Sequence, residues 1–99
     1  MVTTMPIETD AARALRVETM GFIGRVARQT GARPKDVIKA MKLFERARRD
    51  HHHPFTQCQF VAQELQARSR LSAEKALEIV NAMLFEADLA LLEAAERGK

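Results

Sequence analysis

Ser72 to Gly98 read SAEKALEIVNAMLFEADLALLEAAERG, and the spacing of apolar residues in this stretch decides the fold class. Ala73, Leu77, Val80, Leu84, Ala87, Leu91 and Ala94 recur at steps of four and three, the repeat of one face of an α-helix. Ile79, Met83 and Ala90 widen that face into a second stripe. Ser72 is a good N-cap, Glu74 suits the positive end of the helix dipole, and Gly98 is a natural stop. At 1.5 Å per residue such a helix is nearly 40 Å long, more than the rest of so short a chain covers. A second copy is the economical cover, which makes Leu77, Val80, Leu84 and Leu91 the expected dimer interface. The alternative is a long helix packed lengthwise on its own domain.

Working back from Ser72, residues 69–71 form a turn, and Thr56 with Gln59 makes a capping box that opens a third helix through Arg68. The chain from Asp50 to Phe55, with three consecutive histidines and Pro54, reads as a loop. Before it, Pro34 suits the first turn of a helix reaching about Arg49, with Val37, Ile38, Met41 and Phe44 as its buried face. Gly31 suits the left-handed residue that ends the preceding helix. That helix starts at Asp10 as cap, and Gly21 and Gly24 predict a bend or break near 19–21. Residues 1–9 read as a disordered tail, with Pro6 opposing any early helix. The expectation is an all-α domain over 10–99, of four or five helices in two hairpins. A basic hairpin spans 10–49, a His-rich loop 50–55, and a second hairpin 56–99.

Composition agrees. The chain has 99 residues, one domain's worth, of which 46% are apolar, and its five aromatic residues are all Phe. Ala, Leu, Val, Ile and Met supply the remainder of the core, a mix that favours helix over strand. No apolar run nears the roughly 20 residues that span a bilayer, and the N-terminus lacks the regions of a signal peptide. Cys58 is the only cysteine, so no disulfide forms within the chain. These features predict a cytoplasmic protein that neither enters a membrane nor carries a cofactor motif.

The net charge of +3 conceals an uneven distribution. Nine Lys and Arg residues lie between Arg25 and Arg49, opposed only by Asp36 and Glu45, whereas the second half is mildly acidic. Lys35, Lys39, Lys42, Arg46 and Arg49 follow steps of four, three, four and three, so they line one helical face opposite Val37, Met41 and Phe44. Like charges at that spacing destabilise an isolated helix by a few tenths of a kcal/mol per pair, and a polyanion would compensate. A plain solvated Lys/Arg-rich face is the competing account.

The stretch RVARQTGARPKDVIKAM, Arg25 to Met41, resembles the helix-turn-helix of DNA-binding proteins. Ala27 stands where that family has a small residue, Gly31 at its turn glycine and Val37 at its second-helix anchor. The resemblance implies that Arg33, Lys35, Asp36 and Lys39 face the groove of DNA, with Arg28 and Arg46 flanking on phosphates. The same pattern is similar to the helical dimerisation region of histone-like HU proteins and to the small N-terminal module of bacterial translation initiation factor 2. For HU the likeness continues into LSAEKALEIVNAML, Leu71 to Leu84, but this chain stops where the DNA-gripping β-arms of HU would begin. No Asn or Gln stands on the basic stripe to read adenine, so phosphate contacts would dominate.

His51, His52 and His53, with Cys58 five residues on, have ligand chemistry, yet adjacent histidines in a loop seldom converge on one ion. No metal site is expected, and a simple solvated linker is the plainer account. Cys58 lies between Phe55 and Val61 as a core residue would, with no orienting third group, and there is no glycine-rich phosphate loop. The chain therefore reads as a binding protein without an active site or small-molecule substrate. The first reading is a dimeric DNA-binding protein, a transcriptional regulator or architectural binder, using Arg28, Arg33, Lys35, Lys39, Lys42, Arg46 and Arg49. The alternative is a helical interaction module, an inhibitor, adaptor or anti-activator of phage or plasmid type, that docks on an acidic protein surface.

Overall fold

A computed structural model describes residues 9–98. Four helices follow one another: α1 (Asp10–Thr30), α2 (Pro34–Asp50), α3 (Pro54–Ser69) and α4 (Ala73–Arg97). There is no strand among the described residues. The expected tail over 1–9 lies outside the described residues except for Thr9, which caps α1 by accepting a hydrogen bond from the Ala12 N–H at 3.1 Å. Asp10 is thus the first helical residue rather than the cap, where its charge still meets the helix dipole favourably.

α1 runs through Gly21 and Gly24 without the expected break. The roughly 1 kcal/mol that each glycine costs is outweighed by what surrounds them: Ile23 and Val26 are buried and Phe22 packs against the core. Gly31, at φ 70°, ends the helix in the left-handed conformation that its missing Cβ permits. Pro34 opens α2, as its fixed φ and absent N–H favour.

The loop between α2 and α3 is shorter than the sequence suggests. Only His51 to His53 lie between the helices, and Pro54 starts α3 instead of preceding it. The cap is His53, whose Nδ1 accepts from the Phe55 N–H at 3.1 Å, and Thr56 sits exposed within the helix. His51 closes α2 by donating its N–H to Ala47 O at 2.8 Å. At the far end of α3, Arg70 takes the left-handed conformation (φ 54°), and Ser72 caps α4 by accepting from Lys75 N–H at 3.1 Å.

The helices form a ring in which α1 meets α2, α2 meets α3, α3 meets α4 and α4 meets α1. The most extensive contacts, α2 with α3 and α1 with α4, cross the boundary between the two expected hairpins, so both halves share one core. Its centre is Val26, Val37, Val61, Leu65, Ile79 and Val80, all essentially without solvent exposure. Because α2 leans on α3, its inward face is Val37, Ala40, Leu43, Phe44 and Ala47. Ile38, expected in that face, is instead exposed, and Met41 is half-buried.

α1 and α4 run antiparallel, since positions rising along one meet positions falling along the other. Lys75 Nζ donates to Thr30 O at 2.5 Å, capping the end of α1. Eleven residues farther along α4, the buried Glu86 carboxylate accepts from Arg25 Nε at 2.9 Å and from Gln29 Nε2 at 2.5 Å. Beyond that tie both helices lose their cover: residues 10–18 and 87–98 are all exposed. These projecting ends raise the radius of gyration to 15.7 Å, against about 13 Å for a globular chain of this size.

Candidate nucleic-acid interface

All five cations of the expected row, Lys35, Lys39, Lys42, Arg46 and Arg49, are exposed on α2. At 100° per residue the row sits away from the Val37–Ala47 face and leans toward α3. Arg28 and Arg33 are exposed on either side of the Gly31 turn. Arg33 Nε pairs with Asp36 Oδ2 at 3.1 Å, and Arg46 Nε stands 3.9 Å from Asp50 Oδ2. Asp36 departs from expectation. It is 3% exposed and lies on the core-facing side of α2, so it cannot face a groove of DNA. Its carboxylate restrains Arg33 from the inner side of the helix.

α3 adds a cation that sequence reasoning missed. Lys39, Lys42 and Arg46 share a groove of about 480 Å³ with Leu43 and with Arg68 of α3. Among the described residues no carboxylate lines this groove. Arg68 is itself held by Glu64, one turn back on α3, at 2.6 Å. Nothing in the local sequence around Arg68 signals this position, because it depends on α3 packing beside α2. The other flank of α2 is mixed in charge, with Glu45 beside Arg48 and Arg49. There a groove of about 440 Å³ opens between α1, α2 and α4, lined by Phe22, Ile38, Met41 and Met83 and rimmed by Lys42, Glu45 and Arg48.

The three positions behind the helix-turn-helix resemblance lie at the junction of α1 and α2. Ala27 packs against the core, Gly31 is left-handed and Val37 is fully buried. Of the residues expected at a dimer interface, Leu77, Leu84 and Leu91 are exposed at 51%, 43% and 69%. Val80 is not available for it: at 1% exposure it belongs to the core of its own chain, where α4 meets α1 and α3.

The three histidines do different things. His51 is half-buried, with its ring 5.4 Å from that of Phe60, and its carbonyl accepts from Gln57 Nε2. His53 is the α3 cap and His52 is exposed. Among the described residues no three His, Cys, Asp or Glu side chains gather as a metal-binding group. Cys58 is half-buried against the core. No helix among the described residues is long and apolar enough to cross a membrane. Comparison with protein-family models, with curated proteins and with solved structures gave no match for this chain.

Proposed function

We propose that the protein is a small dimeric nucleic-acid binder, an architectural or regulatory DNA-binding protein that holds phosphates on the exposed face of α2. The observation that carries this reading is the groove where Lys39, Lys42, Arg46 and Arg68 converge with no carboxylate in the lining among the described residues. Like charges three and four residues apart on one helix face repel one another, and each phosphate brought among them relieves that repulsion and releases counterions. Lys35 and Arg49 extend the row at either end, with Arg28 and Arg33 beyond the turn. Since no Asn or Gln stands in the row, binding is dominated by phosphate and depends little on sequence. Two copies joined through exposed apolar side chains of α4 would offer two such faces to one duplex, and avidity would strengthen a weak contact.

The test is a fluorescence-anisotropy titration of random-sequence duplex DNA at low salt. Wild type is compared with a variant carrying Lys35→Glu, Lys39→Glu, Lys42→Glu and Arg46→Glu. Binding by wild type and its loss in a variant of unchanged helix content support the reading. A folded wild type that leaves the duplex free removes it.

One observation favours the second reading, a module that docks on an acidic protein surface. The groove at Phe22, Ile38, Met41 and Met83 combines an apolar floor with the charged rim of Lys42, Glu45 and Arg48, two of them cationic, which suits a protein partner. Under that reading the same titration finds no affinity for random duplex.

A further inference from the structure

From Leu84 onward α4 has apolar side chains on both flanks and, among the described residues, little to cover them. Leu84 and Leu91 stand on one flank, Phe85, Leu89 and Leu92 on the other, between 38% and 69% exposed. Among the described residues the main neighbour there is the antiparallel first half of α1, which adds Leu15, Val17 and Met20, each 64–65% exposed. A helix with large apolar side chains on two flanks is normally enclosed on both, not laid on a surface. We propose that these projecting halves of α1 and α4 interlock with those of a second copy, forming a four-helix bundle at the dimer centre. This rests on the dimeric part of the reading above, and it shifts the contact from α4 alone to both helices of the arm.

Two quantities on the molecule point to a second copy. Each exposed large apolar side chain offers on the order of 100 Å². The eight on the arms therefore come close to the roughly 800 Å² per partner of a standard specific interface. A globular partner would also cover one flank of α4 and leave the other wet, whereas a pair of helical arms meeting about a two-fold axis encloses both. Leu77 lies fourteen residues before Leu91, about 21 Å along the helix, and falls outside this contact.

Sedimentation velocity over a range of concentrations tests the proposal, with Leu15→Lys, Leu91→Lys and Leu92→Lys beside Leu77→Lys. All four side chains are more than half exposed within one chain, so the substitutions spare the core, and far-UV circular dichroism checks the fold. Wild type should sediment at twice 11.2 kDa. Each arm variant should raise the dimer dissociation constant roughly tenfold or more, the scale of a lost interface anchor, and Leu77→Lys should leave it within a factor of about three. A wild type that stays monomeric at every concentration overturns the proposal, as does a dimer split by Leu77→Lys and untouched by the arm variants. The DNA titration is read separately: a dimer that ignores duplex keeps this inference and removes the nucleic-acid reading.

Discussion

Glu86 is the one glutamate buried within the described core, and its environment makes a sharp prediction about which partner matters. Its side chain is 7% exposed, whereas that of Arg25, its ion-pair partner, is 47% exposed. Removing Arg25 leaves a buried carboxylate with Gln29 alone, while Arg25 released from Glu86 simply turns to water. Arg25→Ala should therefore cost about 2 kcal/mol, and Glu86→Gln, which keeps one acceptor oxygen for Arg25 and offers an NH2 from which a turned Gln29 amide can accept, about 1 kcal/mol or less. Urea denaturation of both variants measures the order, and a larger loss for Glu86→Gln would contradict this account of the tie. Arg70 offers a gain instead. A left-handed non-glycine residue costs about 1–2 kcal/mol, and glycine there loses about 0.5–1 kcal/mol through the freer unfolded chain. Arg70→Gly should then stabilise by roughly 0.5–1 kcal/mol, a rise in melting temperature of several degrees for a domain this size. An unchanged or lower melting temperature would mean that Arg70 makes a compensating contact.

Among the elements, α2 carries the clearest conflict between stability and binding. Lys39, Lys42 and Arg46 repel one another along one face. Lys42→Glu turns two unfavourable neighbours, Lys39 and Arg46, into favourable ones and one favourable neighbour, Glu45, into an unfavourable one, with the Glu placed four residues before Arg46, the better orientation. That single change should raise thermal stability by a few tenths of a kcal/mol while weakening duplex binding. A variant that is stabilised and still binds as well as wild type would reduce the stripe to ordinary solvated surface. The ends of the elements were largely legible, because caps are local: Gly31, Pro34 and Ser72 act where their chemistry says they should. What was not legible depends on neighbours far along the chain. α1 stays whole across two glycines because Ile23 and Val26 are buried by other helices. α2 turns Leu43 inward and Ile38 outward because its main neighbour is α3. His53 displaced Thr56 as a cap because Pro54 can begin a helix as well as end one.

For the whole molecule, the chain places a basic face and an apolar pair of arms at different parts of one small ring of helices. The basic row on α2 was readable from periodicity alone. Arg68 was not, since it reaches that row only through the packing of α3 on α2. Asp36, which the helix-turn-helix resemblance turned toward the groove of DNA, lies on the buried side. Arg68→Glu accordingly separates a row on one helix from a groove between two. It should weaken duplex binding several-fold, with helix content unchanged, and an affinity equal to wild type would confine the contact to α2. The most direct measurement of the central claim is the salt dependence of binding to random-sequence duplex. Each phosphate neutralised contributes a slope of about −0.9 to log affinity against log salt, so the five-cation row predicts roughly −4 to −5 per copy engaged. A linear fall near that value, the same for unrelated duplexes, is the predicted result. Absence of binding at about 50 mM salt, or a slope near zero, would contradict the claim that this face is made for phosphates.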